Sequence, residues 1–164
     1  MCSSDLLYDR PENVFVAAFI GSPSMNLYEG RIGVSGDRIT ATIGSQTVTL
    51  SDAVAAKRPA LRGYDGRQVI VGIRPEDFED VEFAPDTPAD QRLSAPVRLI
   101  EALGSEIMVH FTLDATTVDS GDPDAVEERH GEDQANAVGR FNPRSRVRSG
   151  DSISIAVATE NMHF

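Results

Sequence analysis

The chain has 164 residues, of which 40% are hydrophobic and 25% charged, enough for one core that folds without disulfides or a structural metal. Its 26 acidic against 15 basic residues give a net charge of −11, which repels phosphate backbones and anionic lipid and speaks against nucleic acid as a partner. Cys2, the only cysteine, excludes an internal disulfide and any multi-cysteine metal site. Lys57, the only lysine, sits in Ala-Ala-Lys-Arg-Pro with no glycine run before it, so the sequence holds no phosphate-cradling P-loop.

Met1–Asp9 has no basic region followed by an apolar stretch, so it does not read as a secretory signal, and no run is long enough to span a membrane. From Arg10 to Gly21 the pattern predicts one short helix, with Pro11 suited to an early helical position and Gly21 to the stop. Val14, Phe15, Ala18 and Phe19 crowd one face of it, a candidate self-association surface. Gly21–Asn26 carries breakers and small polar residues and reads as a linker.

Beyond the linker the hydrophobic period changes to 2. Ile39/Ala41/Ile43, Val48/Leu50, Val69/Val71/Ile73, Ile107/Val109/Phe111/Leu113 and Ile153/Ile155/Val157 each line one face of an extended segment. Turn signals divide them at Ser35-Gly36-Asp37, Gly44-Ser45, Asp65-Gly66, Leu103-Gly104-Ser105 and Ser149-Gly150-Asp151. Short strands without long crossover helices predict a mainly β barrel or sandwich. Ser51–Arg58 reads as one helical insertion, and Asp86–Asp90 as a break between strands. The stretch from Asp114 to Asp133 holds eight acidic residues against one arginine, the composition of a solvated acidic loop.

Candidate chemistry is sparse. Asp119, Asp122 and Asp124 invite a calcium reading, but Pro123 and Val126 break the ligand order of an EF-hand loop, so a charged insertion is preferred. His110, His130 and His163 are too scattered for a metal pair, and no nucleophile elbow surrounds a serine. His110 lies out of phase with Val109 and Phe111 and is expected to face solvent or an interface. Arg140, Arg144, Arg146 and Arg148 could form an anion site, although internal charge pairing with the acidic loop is the simpler reading. Arg74-Pro75 follows a strand; proline fixes φ and removes a donor, so the chain leaves the sheet there with Arg74 and Glu76 expected to project from its end. No catalytic residue, metal ligand or cofactor site is assigned.

Three ordered segments carry a resemblance. Leu7–Asn26 (Leu-Tyr-Asp-Arg-Pro-Glu-Asn-Val-Phe-Val-Ala-Ala-Phe-Ile-Gly-Ser-Pro-Ser-Met-Asn), Val71-Gly72-Ile73-Arg74-Pro75-Glu76, and the later Leu103-Gly104-Ser105-Glu106, Phe141–Val147 and Met162-His163-Phe164 resemble the ATPase subunits of carbohydrate-type ABC importers, in the part that follows their nucleotide-binding domain. The resemblance implies an OB-like β-barrel of the TOBE type with a short N-terminal helix: residues 1–23 a helix and linker from the ATPase junction, residues 24–164 the regulatory domain with its acidic loop 114–133. It also implies a cytoplasmic place, peripheral to the inner membrane through permease subunits. The partners it implies are a second copy in a homodimer, an ATPase domain, transmembrane permease subunits and a regulatory protein. The sequence departs from that family in having no Walker A, signature or Walker B motif.

The reading is therefore a non-catalytic regulatory and dimerisation domain of a carbohydrate or sugar-phosphate importer, with Arg74, Pro75, Glu76, Arg144 and Arg146 as candidate regulatory or dimer-interface residues. The alternatives are a stand-alone small-ligand or oxyanion-binding TOBE-like module, and an enzyme with paired carboxylates, for which the acidic residues are too diffuse.

Overall fold

The structure is a computed structural model that describes residues 25–118 and 135–164. The helix expected over 10–21, with Val14, Phe15, Ala18 and Phe19, and the acidic stretch 119–133 lie outside the described residues.

Two antiparallel sheets make the fold. In the first, β1 (Asn26–Ser35) pairs with β2 (Arg38–Ile43) over Gly30–Ser35 and with β4 (Gln68–Ile73) over Asn26–Arg31, and β3 (Gln46–Thr49) extends beyond β2. Helix α1 (Asp52–Lys57), the expected insertion, and a 3-10 turn at Pro59–Tyr64 connect β3 to β4. The second sheet runs β5 (Phe78–Asp80), β9 (Ser152–Val157), β6 (Arg92–Ala102), β7 (Ile107–Phe111), β8 (Ala137–Phe141). Long β6 serves two neighbours: Arg92–Pro96 pair with β9, the register shifts between Val97 and Leu99, and the remainder pairs with β7. Pro96, which has no N–H, stands at the end of the β9 ladder, where the strand changes partner.

The alternating apolar residues meet between the sheets, as their period requires. Tyr28, Ile32, Val71, Ile73, Phe78, Phe111, Phe141 and Ile155 are all but fully buried in one cluster. The Phe78 and Phe111 rings meet edge to face, with centroids 5.2 Å apart. Gly139 of β8 lets them in, since a Cβ there would stand 2.7 Å from a Phe141 ring carbon and 3.1 Å from Phe78 Cβ. Such mainly β packing around one core is the expected barrel.

Strand ladders alone do not join the two sheets; side-chain amides do. The Asn26 carboxamide donates to the carbonyls of Ile73 and Val138, both at 3.0 Å, and its oxygen accepts from Val138 N at 2.9 Å, tying β1 and β4 to β8. Gln46 does the same between β3 and β6, donating to Ser94 O (2.8 Å) and accepting from Ser94 N (2.7 Å). Asn136 accepts from Leu113 N (2.8 Å) and donates back to Leu113 O (2.7 Å) just before β8 begins. A carboxamide has the same donor and acceptor as a peptide unit, so each completes a ladder where backbones diverge. On the far side of β8, Glu79 Oε1 accepts from Asn142 N at 3.0 Å and links β5 across to the end of β8.

Three sequence expectations change. The linker expected over Gly21–Asn26 is overturned at its end, because Met25 and Asn26 are buried and Asn26 opens β1. The hydrophobic period did not mark β1 or β6, where Gly30, Gly33 and Pro96 interrupt alternation. The acidic stretch is extended chain over its first residues: Thr116 O accepts from Glu29 N (2.8 Å), Val118 N donates to Leu27 O (3.0 Å), and Thr117 bridges Tyr28. The reason is backbone satisfaction, since Leu27 and Glu29 would otherwise face solvent with unpaired groups on the side of β1 that β2 does not reach.

Replacing Asn26 by Leu strands Val138 N and two carbonyls in the interior, a loss expected to cost about 2–4 kcal/mol by urea unfolding with little change in slope. Gln46→Ala, whose bonds are exposed, should cost under about 1 kcal/mol. Equal effects of the two substitutions would refute the assignment of Asn26 as the principal tie.

Candidate interaction surface

At the end of β4 the sequence Ile73-Arg74-Pro75-Glu76-Asp77 turns into one 3-10 turn, Pro75–Asp77, because Pro75 has its φ preset and no donor for a further ladder. Asp77 N closes the turn on Arg74 O at 2.9 Å. The turn packs inward against β8. Arg74, expected to project, is instead 8% exposed, and Pro75 is buried with it; of the three motif residues only Glu76 reaches solvent. The strand end is roofed by the chain's last residues, where His163 exchanges both backbone hydrogen bonds with Gly72 at 2.9 Å.

Under that roof lie two ionisable groups that pattern reasoning did not single out as buried. Asp77 Oδ1 accepts from Asn161 Nδ2 at 2.9 Å, whereas its Oδ2 is buried with no hydrogen bond. Burial drives its pKa from 3.8 up to about 6, against the lowering effects of Asn161 and Arg74, with Glu76 and Glu160 adding to the rise. His163 is 6% exposed with Nε2 unbonded, and burial followed by the nearby charges of Arg74 and Arg58 pushes it down to about 4. At neutral pH the imidazole is therefore neutral and the carboxylate charged. His163 lies within the Met162-His163-Phe164 resemblance, but nothing in the residues around Asp77 signals its burial.

The fourth-strand motif and the later arginines come together through β5. Glu79 holds Asn142 N, and the Ser145 hydroxyl bonds Asp80 Oδ2. Asn142 in turn accepts from Arg144 N at 2.9 Å, so the segment after β8 is fixed to the strand that follows the turn. Arg144, Arg146 and Arg148 are exposed, while Ser145 and Val147 between them face inward, Val147 against the core. Arg140 meets Glu106 at 3.0 Å, a partner outside the acidic stretch, whose residues 119–133 lie outside the described ones. Arg144, Arg146 and Arg148 form no ion pair among the described residues. His110, half-buried at the sheet surface, bonds Glu101 at 2.9 Å. A shallow polar groove of about 300 Å³ lies elsewhere, lined by Glu29, Arg31, Thr42, Gln68, Asp114 and Thr116. Asp114 there is held below the ordinary carboxylate range by its hydrogen bonds to Ser45. The described residues contain no cluster of three metal-ligating side chains and no helix long and apolar enough to cross a membrane.

Comparison with known proteins gives this architecture a family. Residues 21–78 match the family described as the MalK OB fold domain. The chain is 32% identical over 160 residues to the oligosaccharides import ATP-binding protein MsmX of Bacillus subtilis, covering 96% of this chain and 37% of that protein. It is 34% identical over 163 residues to the trehalose/maltose import ATP-binding protein MalK of Thermococcus litoralis, covering 99% of this chain and 38% of that one. It is 44% identical over 110 residues to the sulfoquinovosyl glycerol transport ATP-binding protein SmoE of Agrobacterium fabrum, covering 66% and 27% respectively. The chain thus spans well under half the length of the relatives it matches. A solved structure of the cytoplasmic molybdate-binding protein ModG has the same fold, with a TM-score of 0.52 at 11% identity, covering 84% of this chain and 92% of that one.

The buried pair under the roof makes opposite contributions to stability across one pH window. Asp77, whose pKa rises on folding, adds stability that is full below about pH 4 and is lost as pH rises through about 6. His163, whose pKa falls on folding, adds stability that is full above pH 6.5 and is lost as pH falls through about 4. Urea unfolding between pH 4.5 and 6.5 should therefore give Asp77→Asn a stability that climbs with pH more steeply than the parent's. His163→Gln should show the reverse relative to the parent, each difference bounded by about 1.4 kcal/mol per pH unit. Parallel curves for parent and variants would refute the burial of these two charges.

Proposed function

This chain carries the MalK OB fold domain of sugar-importer ATP-binding subunits, and on that premise we propose that it is a non-catalytic regulatory and dimerisation module. The observation that carries the reading is a barrel whose strand-bridging polar side chains are spent on closing it. Asn26, Asn136, Gln46 and Glu79 bond backbone, and Asp77 and His163 lie under the C-terminal roof, which leaves no convergent nucleophile, base and oxyanion donor among the described residues. What such a domain offers is surface. Glu76, Arg144 and Arg146 stand exposed on the side where the turn after β4 and the segment after β8 are joined by β5, and we assign regulatory or subunit contact to that side.

In this reading the domain works beside an ATPase domain, in a homodimer, with permease subunits that keep it at the cytoplasmic face of the membrane. ATP chemistry belongs to the ATPase domain, because Lys57 is the only lysine here and no glycine run precedes it. An oxyanion-binding role draws no support from the likeness to ModG, which at 11% identity is a likeness of fold.

Calorimetric titration of the 164-residue chain with Mg-ATP is expected to show no saturable binding up to about 1 mM; tighter binding would overturn the non-catalytic reading. Sedimentation should find a dimer, shifted toward monomer when the chain starts at Ser22 and so lacks the apolar face of Val14, Phe15, Ala18 and Phe19. A monomer in both cases would refute the dimerisation role.

A further inference from the structure

The arginines after β8 are an anomaly of charge. The chain carries 26 acidic residues, yet Arg144, Arg146 and Arg148 stand exposed with no carboxylate in ion-pair range among the described residues. Carboxylates are close by, but they are committed elsewhere. Asp80 accepts from the Ser145 hydroxyl and from Glu82 N, Glu79 from Asn142 N and Asp80 N, and Asp151 from Arg148's own backbone N at 2.9 Å.

These bonds also hold the segment rigid. Ser145 is tied to Asp80, Val147 packs on the core, and the Ser149 hydroxyl donates to Arg98 O at 2.6 Å, placing the segment's end along β6. Gly150 N donates to Val97 O and Val97 N to Asp151 O, which continues that attachment. Exposed and half-buried residues alternate from Arg144 to Arg148, between the turn that Ser145 N closes on Asn142 O and the turn that Asp151 N closes on Arg148 O, so the three arginines stand at alternate, outward positions. Arg98 is exposed next to them, with Nε on the Thr112 hydroxyl at 3.2 Å.

We propose that this ledge, Arg144–Arg146–Arg148 with Arg98, is a docking site for an extended acidic segment of a partner protein with Asp or Glu at every second position. An extended acidic chain presents alternate carboxylates on one side, as the ledge presents arginines at alternate positions, and guanidinium binds carboxylate bidentately. Nucleic acid is the poorer match: a long phosphate backbone would run onto a molecule of net charge −11, whereas a short segment stays on the ledge. The inference rests on the regulatory reading above and supplies the chemistry of the partner.

The test uses the full chain and fluorescein-labelled peptides in anisotropy titrations at about 0.15 M salt. One peptide alternates Glu with Ser over ten residues; a second has the same composition with its glutamates in one block. The alternating peptide should bind at least about fivefold more tightly than the blocked one. The triple variant R144S/R146S/R148S should weaken it at least about tenfold, while R31S/R38S, which removes two arginines of the other sheet, should not. Thermal unfolding of the triple variant should match the parent, since these side chains make no hydrogen bond or ion pair among the described residues. Equal affinity for both peptides would reduce the ledge to diffuse charge and overturn the proposal. So would tighter binding of a ten-nucleotide single strand, or no peptide binding at all. Each of these outcomes leaves the Mg-ATP and sedimentation results standing, so failure of the ledge is distinguishable from failure of the regulatory reading.

Discussion

The Asn26 carboxamide is the bond on which the arrangement of the two sheets depends. It is buried, it reaches Ile73 on the neighbouring strand and Val138 across the barrel, and it satisfies three backbone groups at once. Residues 26 and 138 are 112 apart in sequence, so closing this contact carries a large loop-closure entropy that the rest of the core must offset. Its partners are main-chain atoms, which makes it indifferent to the side chains of β8 and sensitive to their register. A slip of one residue in β8 would turn Ala137, Gly139 and Phe141 outward and present different backbone groups to Asn26.

The closure by side chains has consequences for where polar chemistry can sit. Barrels closed by continuous ladders leave their interior polar groups free to converge on a ligand; here the amides and one glutamate are consumed in bridging strands. Two buried ionisable groups beside Arg74, Asp77 and His163, lie where the last residues of the chain meet the end of β4, and burial pushes each toward its neutral form. Their pKa shifts thus report packing at the end of β4. Perturbed titration of this sort often marks catalysis, but neither group faces a cleft, and His163 has its ring nitrogen against protein.

Much of this was legible in the residues and some was not, for physical reasons. The five period-2 runs lie in or at the ends of β2, β3, β4, β7 and β9, because one face of each packs on the shared core and alternation survives in sequence. β1 and β6 escaped detection because each pairs with different strands along its length and carries glycines or proline where the partner changes. The bridging roles of Asn26 and Gln46 have no local signature, since an amide is an ordinary residue in a turn-rich chain until the strand opposite is known. Arg74 misled for a related reason: Pro75 does end the strand as its chemistry requires, but the turn folds inward against β8, a direction that no short-range rule fixes. The family resemblance did reach the fold, since its motifs run through the chain in order.

The exposed arginines after β8 stand against the sign of the whole chain's charge. A protein of net charge −11 gains solubility from self-repulsion, and any partner approaching it must either be basic overall or find a local inversion of the field. The segment after β8 is such an inversion, and it persists because nearby carboxylates satisfy hydroxyl and backbone donors that would otherwise be left unpaired. A guanidinium at the surface loses little by staying with water, whereas an unsatisfied backbone N–H at a turn loses its only partner. The same competition that fixes the loop therefore leaves the arginines without a carboxylate partner among the described residues. Fixing the loop and exposing its charge are one event, and that couples the stability of this corner of the barrel to whatever the surface recognises.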